Sequence, residues 1–462
     1  MAEPGVIIIG AGPAGVRAAE ELVAAGLRPT LIEEGRRDGG QIYRRQPEHF
    51  KREYATLYGS EAERAADLHR SFDALRGRID YRPDTLAWNI SEGHVHLVND
   101  QRSSKLPYSA LIVCSGATDR LMPVPGWELS GTYSLGAAQI ALKSQACSVG
   151  KRVVFMGSGP LLYLVAYQYM KAGAGVAAVL DTSRLRHRIA ALPKLLARPA
   201  VLRLGMGYVS ALKRAGVPVL GGVEPVEIRG DREDGVRSIA FRAGSAAGAG
   251  PVQEIACDAV AMGYHLRPET QLADLARCAF RFDAPTRQWF PEVTMEGRSS
   301  VPNVYLAGDG ARILGAEGAE NAGRLAALSL LKDMGRSVDT NRVHTLLAAQ
   351  DRMERFRQGL VEAFPWPAEQ AGKLADETIV CRCECITAGE LRRVVKEMGA
   401  QEANRAKAFS RVGMGRCQGR YCGLAGAEVI AHACGVPLEQ VGRLRGQGPV
   451  KPLSIHTIEE QA

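Results

Sequence analysis

The chain has 462 residues, of which 46% are hydrophobic and 23% charged, and its formal net charge is +8. This length exceeds what one hydrophobic core supports and predicts about three domains. No apolar run approaches the roughly 20 residues of a membrane span, and a strand pattern begins at once rather than a leader, so we expect no membrane span and a cytoplasmic location. The basic residues are scattered without interleaved aromatic residues, which argues against nucleic acid and favours acidic partners or bound phosphates.

The N-terminal segment predicts a dinucleotide-binding turn. The β-branched run Val6 to Ile9 is typical of a strand buried on both faces, and a glycine motif follows it directly. The motif residues are Gly10, Gly12, Pro13, Ala14 and Gly15. Gly10 permits the tight turn, Gly12 lets main chain approach a pyrophosphate, and Gly15 allows the next helix to pack closely. The N-terminus of that helix is then expected to face the phosphates.

A carboxylate follows the next predicted strand, Pro29 to Ile32. Glu33 is placed to accept hydrogen bonds from a ribose 2′-hydroxyl, and Glu34 is the second candidate, with a less favourable register. The order of strand, glycines, helix, strand and acid indicates a nucleotide site rather than an ordinary turn.

Two further segments favour FAD over NAD. Gly40 and Gln41 follow the acid by a short loop, where glycine lets main chain lie against an isoalloxazine ring. Far downstream, a buried strand from Val304 runs into Gly308 and Asp309, whose carboxylate is expected to bond the ribityl or pyrophosphate region. Gly116 and Ala319 complete the predicted flavin site.

These segments together resemble the two-dinucleotide-binding-domain flavoproteins of the glutathione and thioredoxin reductase type. The resemblance implies an α/β fold with tandem Rossmann-like domains. The FAD domain is then discontinuous, 1–118 and 286–365, and a second, NAD-like Rossmann domain spans 119–285. No closely spaced cysteine pair lies beside the flavin motif, so reduction of a substrate disulfide is not expected.

The second glycine motif is imperfect. Gly157 and Gly159 follow a predicted strand, but Leu162 replaces the third glycine, so its bulk is expected to displace the helix or fill the dinucleotide space. A functional NAD(P) site, a structural relic and a site for an adenine nucleotide, ATP or ADP, all remain open. For Arg184, Arg186 and Arg188 a clamp on a 2′-phosphate is one interpretation, but a solvated basic helix face is favoured, because Asp181 would repel that phosphate.

The C-terminal segment carries clustered cysteines. A linker is predicted over 366–377, followed by a module at 378–462. Cys381, Cys383, Cys417 and Cys422 can supply the four sulfurs of a 2Fe-2S cluster. Structural zinc is the alternative. Iron-sulfur is favoured because zinc cannot carry electrons, whereas a chain that binds a flavin is expected to transfer electrons one at a time. Cys385 remains open as a substitute for Cys422.

This module resembles the 2Fe-2S module of bacterioferritin-associated ferredoxin, although the second cysteine pair is more widely spaced than usual. Over nearly its whole length the chain resembles the alpha (A) subunit of opine oxidases, of hydroxyproline and proline dehydrogenases, and of hydrogen cyanide synthase. The shared strings are Gly10 to Gly15, Gly39 to Tyr43, Gly157 to Leu162, Gly308 to Gly310 and Gly413 to Arg420.

The resemblance implies a heteromeric, flavin-dependent dehydrogenase of an opine or a secondary or D-amino acid. Substrate oxidation then occurs on a beta subunit similar to D-amino acid oxidase, and a small ferredoxin-like gamma subunit is often present. This chain would pass electrons through FAD and the cluster to a quinone-like acceptor or dye, and no catalytic base is assigned to it. An FMN at a subunit interface remains open. Two rival hypotheses are a self-contained NAD(P)H-dependent reductase and a non-redox assembly protein with structural zinc.

Overall fold

The structure is a computed structural model in which residues 5–243 and 250–459 are described. The first Rossmann-like unit contains most of the N-terminal segment. Its elements are β1 (Gly5–Ile9), α1 (Pro13–Ala24), β2 (Thr30–Ile32), α2 (Tyr54–Tyr58), α3 (Ala62–Leu75), β3 (Asp80–Arg82), β4 (Leu86–Ser91), β5 (His94–Asn99), β6 (Arg102–Val113) and β7 (Ala117–Asp119). A short 3-10 turn, Gly59–Glu61, separates α2 from α3.

The second unit lies between the two parts of the first. Its elements are β8 (Thr132–Ser134), α4 (Leu135–Ser144), β9 (Val153–Ser158), α5 (Pro160–Lys171), β10 (Val176–Asp181), α6 (Leu185–Ala190), α7 (Leu192–Leu195), α8 (Pro199–Arg214), β11 (Val219–Gly221), β12 (Glu224–Asp231), β13 (Gly235–Arg242), β14 (Val252–Ala256) and β15 (Ala259–Tyr264).

The chain then returns to the first unit and ends in a small helical module. The returning elements are β16 (Leu266–Pro268), α9 (Gln271–Leu275), β17 (Phe280–Asp283), β18 (Gln288–Pro291), β19 (Val304–Leu306), the 3-10 turn Gly308–Gly310, α10 (Gly315–Asp333) and α11 (Thr340–Ala363). The module contains α12 (Ala368–Lys373), β20 (Ile379–Cys381), β21 (Ile386–Thr387), α13 (Ala388–Met398), α14 (Ala403–Ser410), α15 (Cys422–Cys434), α16 (Leu438–Val441) and β22 (Ile458–Glu459).

The first sheet is parallel around the glycine motif. Strands β3, β2, β1, β6 and β19 lie side by side in that order, and the N-terminal half of β6 continues into an antiparallel meander with β5 and β4. Ile8 and Ile112 enter one core and Ile7 and Leu111 enter another. Apolar packing on both faces explains the unbroken hydrophobic runs of these strands.

Helix α1 is held between the sheet and α10 by two glycines. A Cβ atom at Gly15 would lie 1.8 Å from the carbonyl oxygen of Gly10, and one at Gly323 would lie 2.0 Å from that of Ala14. Both distances are impossible for a side chain, so Gly15 has the close-packing role expected from the sequence. The N-terminus of α1 is thereby fixed at the carboxyl end of β1.

The second sheet is also parallel, in the order β11-β10-β9-β15-β8, and β12, β13 and β14 form a separate antiparallel sheet. The segment 366–377, predicted as a linker, contains α12, and Trp366, Ala371 and Leu374 are buried. They belong to one core with Trp127 of the second unit and Val380 of the C-terminal module. None of the described helices combines the length and apolarity that crossing a membrane requires.

Candidate flavin and iron-sulfur site

One continuous cleft of about 1990 Å³ runs between the first unit and the C-terminal module. Twelve of the predicted cofactor residues line it: Gly10, Gly12, Pro13, Ala14, Glu33, Glu34, Gly40, Gln41, Gly116, Gly308, Asp309 and Ala319. The loop of Gly40 lies against the glycine motif, since a Cβ atom at Gly40 would lie 2.9 Å from the Cα atom of Gly12. Two glycines therefore leave the main chain bare where a pyrophosphate would approach the N-terminus of α1.

Glu33 bridges two parts of the cleft wall. Its Oε2 atom accepts the N–H of Ala11 at 2.7 Å and its Oε1 atom accepts the N–H of Gly35 at 2.8 Å. Burial raises the pKa of the Glu33 carboxyl, and these two main-chain donors oppose the rise. Glu34 is exposed instead and forms an ion pair with Lys451 of the C-terminal tail. Glu33 is thus the carboxylate fixed at the end of β2.

Asp309 anchors the opposite wall. Its Oδ1 atom accepts the N–H groups of Leu314 at 3.0 Å and Gly315 at 3.1 Å, which fixes the entry to α10. Burial raises the pKa of this carboxyl as well. Gly308 lies close to α10, because a Cβ atom there would be 3.4 Å from the Cβ atom of Ala319. α10 begins at Gly315, directly after this loop.

The four predicted cluster ligands lie together. Cys381, Cys383, Cys417 and Cys422 all line a cavity of about 190 Å³, which Trp127 and Tyr421 also border. The Cys422 thiol donates hydrogen bonds to Cys381 and Cys417, which lowers the pKa of Cys381 to about 6 and that of Cys417 to about 5. Burial raises the pKa of Cys383, which contacts Cys417.

The sulfur contacts form a chain from Cys381 through Cys422 and Cys417 to Cys383. Within residues 5–243 and 250–459, no three Cys, His, Asp or Glu side chains are arranged as a ligand set for one metal ion. A 2Fe-2S cluster takes two protein ligands at each of two irons, so four sulfurs in an extended chain fit its donor set. Cys385 is exposed, and its thiol contacts the Arg382 carbonyl at 3.9 Å.

The main chain of the cysteine loop packs very closely against neighbouring side chains. A Cβ atom at Gly415 would lie 2.3 Å from the Cβ atom of Cys383. Gly413 and Gly419 both have positive φ, at +79° and +77°, and a Cβ atom at either would lie within 2.8 Å of the Leu444 side chain. Glycine is therefore required where this loop folds around the thiols.

The cluster cavity and the flavin motifs share the same cleft. Cys383 and Cys417 line this cleft together with Met414, Gly415 and Tyr421. Glu269 joins the two regions directly: its N–H donates to the carbonyl oxygen of Gly116 at 2.9 Å, and its Oε2 atom accepts from Arg420 Nε at 2.6 Å. Arg420 is buried and also donates to the Cys417 carbonyl at 3.2 Å.

Further contacts fix the cysteine loop against the flavin unit. Gln271 Nε2 donates to the Gln418 carbonyl at 2.7 Å, and Arg267 Nη1 donates to the Arg420 carbonyl at 2.8 Å. On the other side of the module, the buried Glu428 accepts from Arg287 Nη2 at 2.6 Å and from Trp366 Nε1 at 3.0 Å. The module is therefore held in one orientation toward the cleft.

The arginines near the thiols are not equivalent. Arg420 pairs with Glu269, and Arg411 pairs with Glu384 at 2.9 Å, so the charge of each is already offset. Arg416 is exposed and lines the cleft, and Arg382 lies over the Trp127 ring at 5.2 Å. Arg382 and Arg416 are thus the cations best placed to offset the negative charge of a cluster.

The second glycine motif is covered by the chain's own side chains. A Cβ atom at Gly159 would lie 3.2 Å from Nδ1 of His265, whose Nε2–H donates to the Phe364 carbonyl at 2.8 Å. The carboxylate of Asp181 is fully buried and accepts from Arg188 Nη2 at 2.5 Å and from the Tyr163 hydroxyl. These contacts leave Asp181 no face toward a ribose.

One expectation about this region changes, and the one for Leu162 stays a prediction. Leu162 lies in the apolar core with Leu135 and Phe155, because α5 turns that face toward the sheet. Arg188 is not part of a solvated face: it turns inward to the buried charge of Asp181. Gly157 keeps a packing role, since a Cβ atom there would lie 1.8 Å from the carbonyl oxygen of Gly263.

Several cleft residues carry no signal in the sequence. Glu269, Arg420, Tyr421 and Lys451 line the cleft but belong to no nucleotide motif. Asp119 also lines it, with Oδ2 accepting from Ser134 Oγ at 2.6 Å and Oδ1 from the Gly136 N–H at 2.9 Å. Arg420 ends the string Gly413 to Arg420 that the sequence already indicated, whereas the others required the tertiary structure.

Comparison with known proteins agrees with both halves of the site. The family model for pyridine nucleotide-disulphide oxidoreductases matches residues 4–326, and that for BFD-like 2Fe-2S binding domains matches residues 379–432. The chain is 36% identical to the opine oxidase A subunit of Rhizobium meliloti, over 97% of this chain and 86% of the relative. It is 33% identical to the hydrogen cyanide synthase subunit HcnB of Pseudomonas aeruginosa, over 97% and 96% respectively.

Solved structures show the same fold. The crystal structure of L-proline dehydrogenase from P. horikoshii superposes with a TM-score of 0.70 at 18% identity, over 98% of this chain and 79% of that one. Thioredoxin reductase of T. acidophilum gives a TM-score of 0.51 at 20% identity, over 71% of this chain and 98% of that one. The tandem Rossmann-like architecture predicted from the sequence is confirmed, as is the C-terminal 2Fe-2S module.

Proposed function

Because the chain belongs to the family of opine oxidase A subunits and HcnB subunits, we propose that it is the electron-transfer flavoprotein subunit of a heteromeric dehydrogenase. The substrate is an opine or a secondary or D-amino acid, oxidised on a partner subunit similar to D-amino acid oxidase. A small ferredoxin-like subunit completes the assembly. Electrons leave for a quinone-like acceptor.

The observation that carries this proposal is the shared cleft. The flavin-motif residues and Cys383 and Cys417 line one cavity, and Glu269 contacts both Gly116 and Arg420. Electron transfer between a flavin and a cluster requires that the two cofactors lie close together, as in one shared cavity. A structural zinc ion would not require a cavity shared with the flavin. FAD and a 2Fe-2S cluster supply the one- and two-electron chemistry that no side chain provides.

The cleft residues have distinct roles in this proposal. Gly10 and Gly12 leave room for the pyrophosphate at the N-terminus of α1, and Gly15 holds that helix in place. Glu33 accepts from the ribose. Gly40 and Gln41 border the ring, while Gly116, Gly308, Asp309 and Ala319 form the opposite wall. Pro13 and Ala14 begin the helix that faces the phosphates.

The ligands of the cluster are Cys381, Cys383, Cys417 and Cys422, and Cys385 is not one. Hydrogen bonds from Cys422 lower the thiol pKa values of Cys381 and Cys417, which favours at these two ligands the thiolate state that metal binding requires. The proposed domain division differs from the predicted one in two places: the chain returns to the first unit at Leu266 rather than at residue 286, and 366–377 packs with the second unit and the C-terminal module rather than as a free linker.

The second glycine motif serves stability rather than hydride transfer. With Gly159 covered by His265 and Asp181 paired with Arg188, NAD(P)H is not the electron donor. This weighs against a self-contained NAD(P)H-dependent reductase. An adenine nucleotide held by Gly157 and Gly159 would have to displace His265, and ADP titration with a thermal-shift readout tests for it. An FMN would lie at the interface with the partner subunit.

Single Cys→Ser variants test the cluster assignment. Iron, acid-labile sulfide and the electron paramagnetic resonance signal of the reduced protein should be lost in C381S, C383S, C417S and C422S, while FAD content is retained. C385S and C434S are matched controls that should keep the cluster. A full cluster in C422S with loss in C385S would reassign the fourth ligand. Stoichiometric zinc without sulfide in the unmodified protein would refute the electron-transfer function.

A further inference from the structure

An arginine outside the cysteine loop joins that loop to the flavin wall. Arg267 lies on β16, which pairs with β7 along the flavin cleft. Its Nη1 atom donates to the carbonyl oxygens of Gly419 at 3.1 Å and Arg420 at 2.8 Å. Both of these residues lie between the ligands Cys417 and Cys422 in the sequence. The guanidinium group therefore lies against the main chain that connects two of the proposed cluster ligands.

The charge of Arg267 has no carboxylate of its own. Glu269 pairs with Arg420 at 2.6 Å, and Arg267 forms no ion pair within residues 5–243 and 250–459. Burial lowers the pKa of Arg267, and the charges of Glu269, Cys422 and Cys417 oppose that decrease. Two guanidinium groups thus share one carboxylate, which leaves one positive charge in excess beside the two cysteines.

Lys407 of α14 adds a second cation near the same ligands. Its side chain is buried, and its Nζ atom donates to Gln447 Oε1 at 2.9 Å. Burial lowers the pKa of Lys407, and the charge of Cys422 opposes that decrease. No carboxylate pairs with Lys407 in the part of the chain that the structure describes. Its charge is therefore also in excess.

The two cations line one small cavity beside the cysteine loop. Arg267 and Lys407 both border this cavity, whose volume is about 60 Å³. Asp274 borders it as well, but its carboxylate is paired with Arg443 at 2.7 Å and with Arg445 at 3.1 Å. The residues of the cysteine loop that border the cavity are Gln418, Gly419 and Gly423. Asp274 therefore does not offset the charges of the two cations.

Enclosed cations of this kind are unfavourable unless a negative group compensates them. The Nε atom of Arg267 is also buried and lacks a hydrogen-bond acceptor among the described residues. A 2Fe-2S cluster held by four thiolates is negatively charged, and its one-electron reduction adds one more negative charge. The cluster is thus a compensating group for Arg267 and Lys407, and it compensates them more fully when it is reduced.

The arginines on the solvent side of the cluster differ from this pair. Arg382 and Arg416 are both exposed, so water and salt screen their charges over about 10 Å. A charge enclosed by protein acts through a lower dielectric constant. Arg267 and Lys407 should therefore each act on the cluster more strongly than an exposed arginine does.

We propose that Arg267 and Lys407 raise the reduction potential of the 2Fe-2S cluster by stabilising its reduced form. In the electron-transfer step one electron leaves the reduced flavin and converts one ferric iron to ferrous iron, and no bond to the protein forms or breaks. A higher cluster potential favours this step, so the two cations direct electrons from the flavin to the cluster. This role rests on the proposed function, because it requires both a flavin and a cluster.

The test is a potentiometric titration of the full, flavin- and cluster-loaded chain, with the cluster followed by electron paramagnetic resonance. R267Q should lower the equilibrium constant for one-electron reduction of the cluster roughly ten-fold, which corresponds to about 59 mV. K407Q should lower it roughly five-fold. R267K keeps the charge and should stay within about three-fold of the unmodified chain. The matched control is R411Q, since Arg411 is exposed and pairs with Glu384; it should stay within about two-fold.

Unchanged potentials in both R267Q and K407Q would overturn the proposal. So would an equal decrease in R267K and R267Q, because the effect would then come from the hydrogen bonds to the loop rather than from the charge. If R267Q does not retain the cluster, K407Q decides, since Lys407 Nζ bonds the Gln447 side chain and not the cysteine loop.

Added sulfate supplies a further control on the unmodified chain. A cluster potential that falls with sulfate at constant ionic strength would overturn the proposal, because an anion in the cavity would then neutralise the two cations. Iron, sulfide and flavin content are measured on the same samples. Their absence from the unmodified chain would count against the proposed function, whereas an intact cluster with unchanged potentials in the variants would count against the role of the two cations alone.

Discussion

Replacing Glu33 with glutamine removes one negative charge from the cleft wall while keeping the size of the side chain. The carboxylate now accepts two main-chain N–H groups, from Ala11 at 2.7 Å and from Gly35 at 2.8 Å. A glutamine offers one acceptor oxygen, so its amide NH₂ group would face one of these donors. The variant also loses the charged acceptor proposed to bind ribose.

The magnitude follows from these contacts. A hydrogen bond to a charged group contributes about 1.5–3 kcal/mol, so E33Q should weaken FAD binding roughly 10- to 150-fold. Part of this loss comes from the glycine motif itself, because Ala11 lies within it. The melting temperature of the flavin-free protein measures this contribution separately, because it depends on the stability of the glycine loop and not on FAD binding.

The assay is titration of flavin-free protein with FAD, followed by quenching of flavin fluorescence. E34Q is the matched control: Glu34 is the adjacent residue, is exposed, and pairs with Lys451 rather than with the loop. We expect E34Q to bind FAD within about two-fold of the unmodified protein. Equal losses in both variants, or none in E33Q, would refute the assignment of Glu33.

Three further predictions concern the rest of the structure. G415A would place a Cβ atom 2.3 Å from that of Cys383 and should reduce the iron and sulfide content of the protein. The control G77A, where no atom lies within 4 Å of an added Cβ atom, should keep both. Equal iron and sulfide content in the two variants would show that the cysteine loop can shift to make room. R188M removes the ion-pair partner of the buried Asp181 and should lower the free energy of unfolding in urea by about 3 kcal/mol. The control R186M should lower it by about 0.5 kcal/mol or less. Similar values for the two variants would show that Arg188 is solvated rather than paired with Asp181. Burial lowers the pKa of His265 from 6.5 to about 4. Below pH 6.5 the unfolded chain therefore binds a proton at this imidazole more readily than the folded chain does. The free energy of unfolding should fall by up to about 3 kcal/mol as the pH drops from 6.5 to about 4. H265N, which tolerates the positive φ of 62° at this position, should lose that part of the pH dependence of melting; an unchanged profile would contradict the neutral, buried histidine.

The sequence by itself determined what depends on neighbours along the chain. The strand and glycine turn through Gly15 are local, because the hydrophobic run, the turn and the helix start all follow from adjacent residues. The same holds for Cys381 and Cys383, whose close spacing is visible in the sequence. These signals were enough for the architecture and for the four cysteines that line the cluster cavity.

Only the tertiary structure decided how these parts face one another. Arg420 meets Glu269 across 151 positions of sequence, and this pair joins the cysteine loop to the flavin wall. Arg188 turns inward and His265 covers Gly159, so the second glycine motif is closed by residues outside it. The physical reason is that buried ion pairs and close backbone contacts form between elements brought together by packing, and no local periodicity specifies which elements those are.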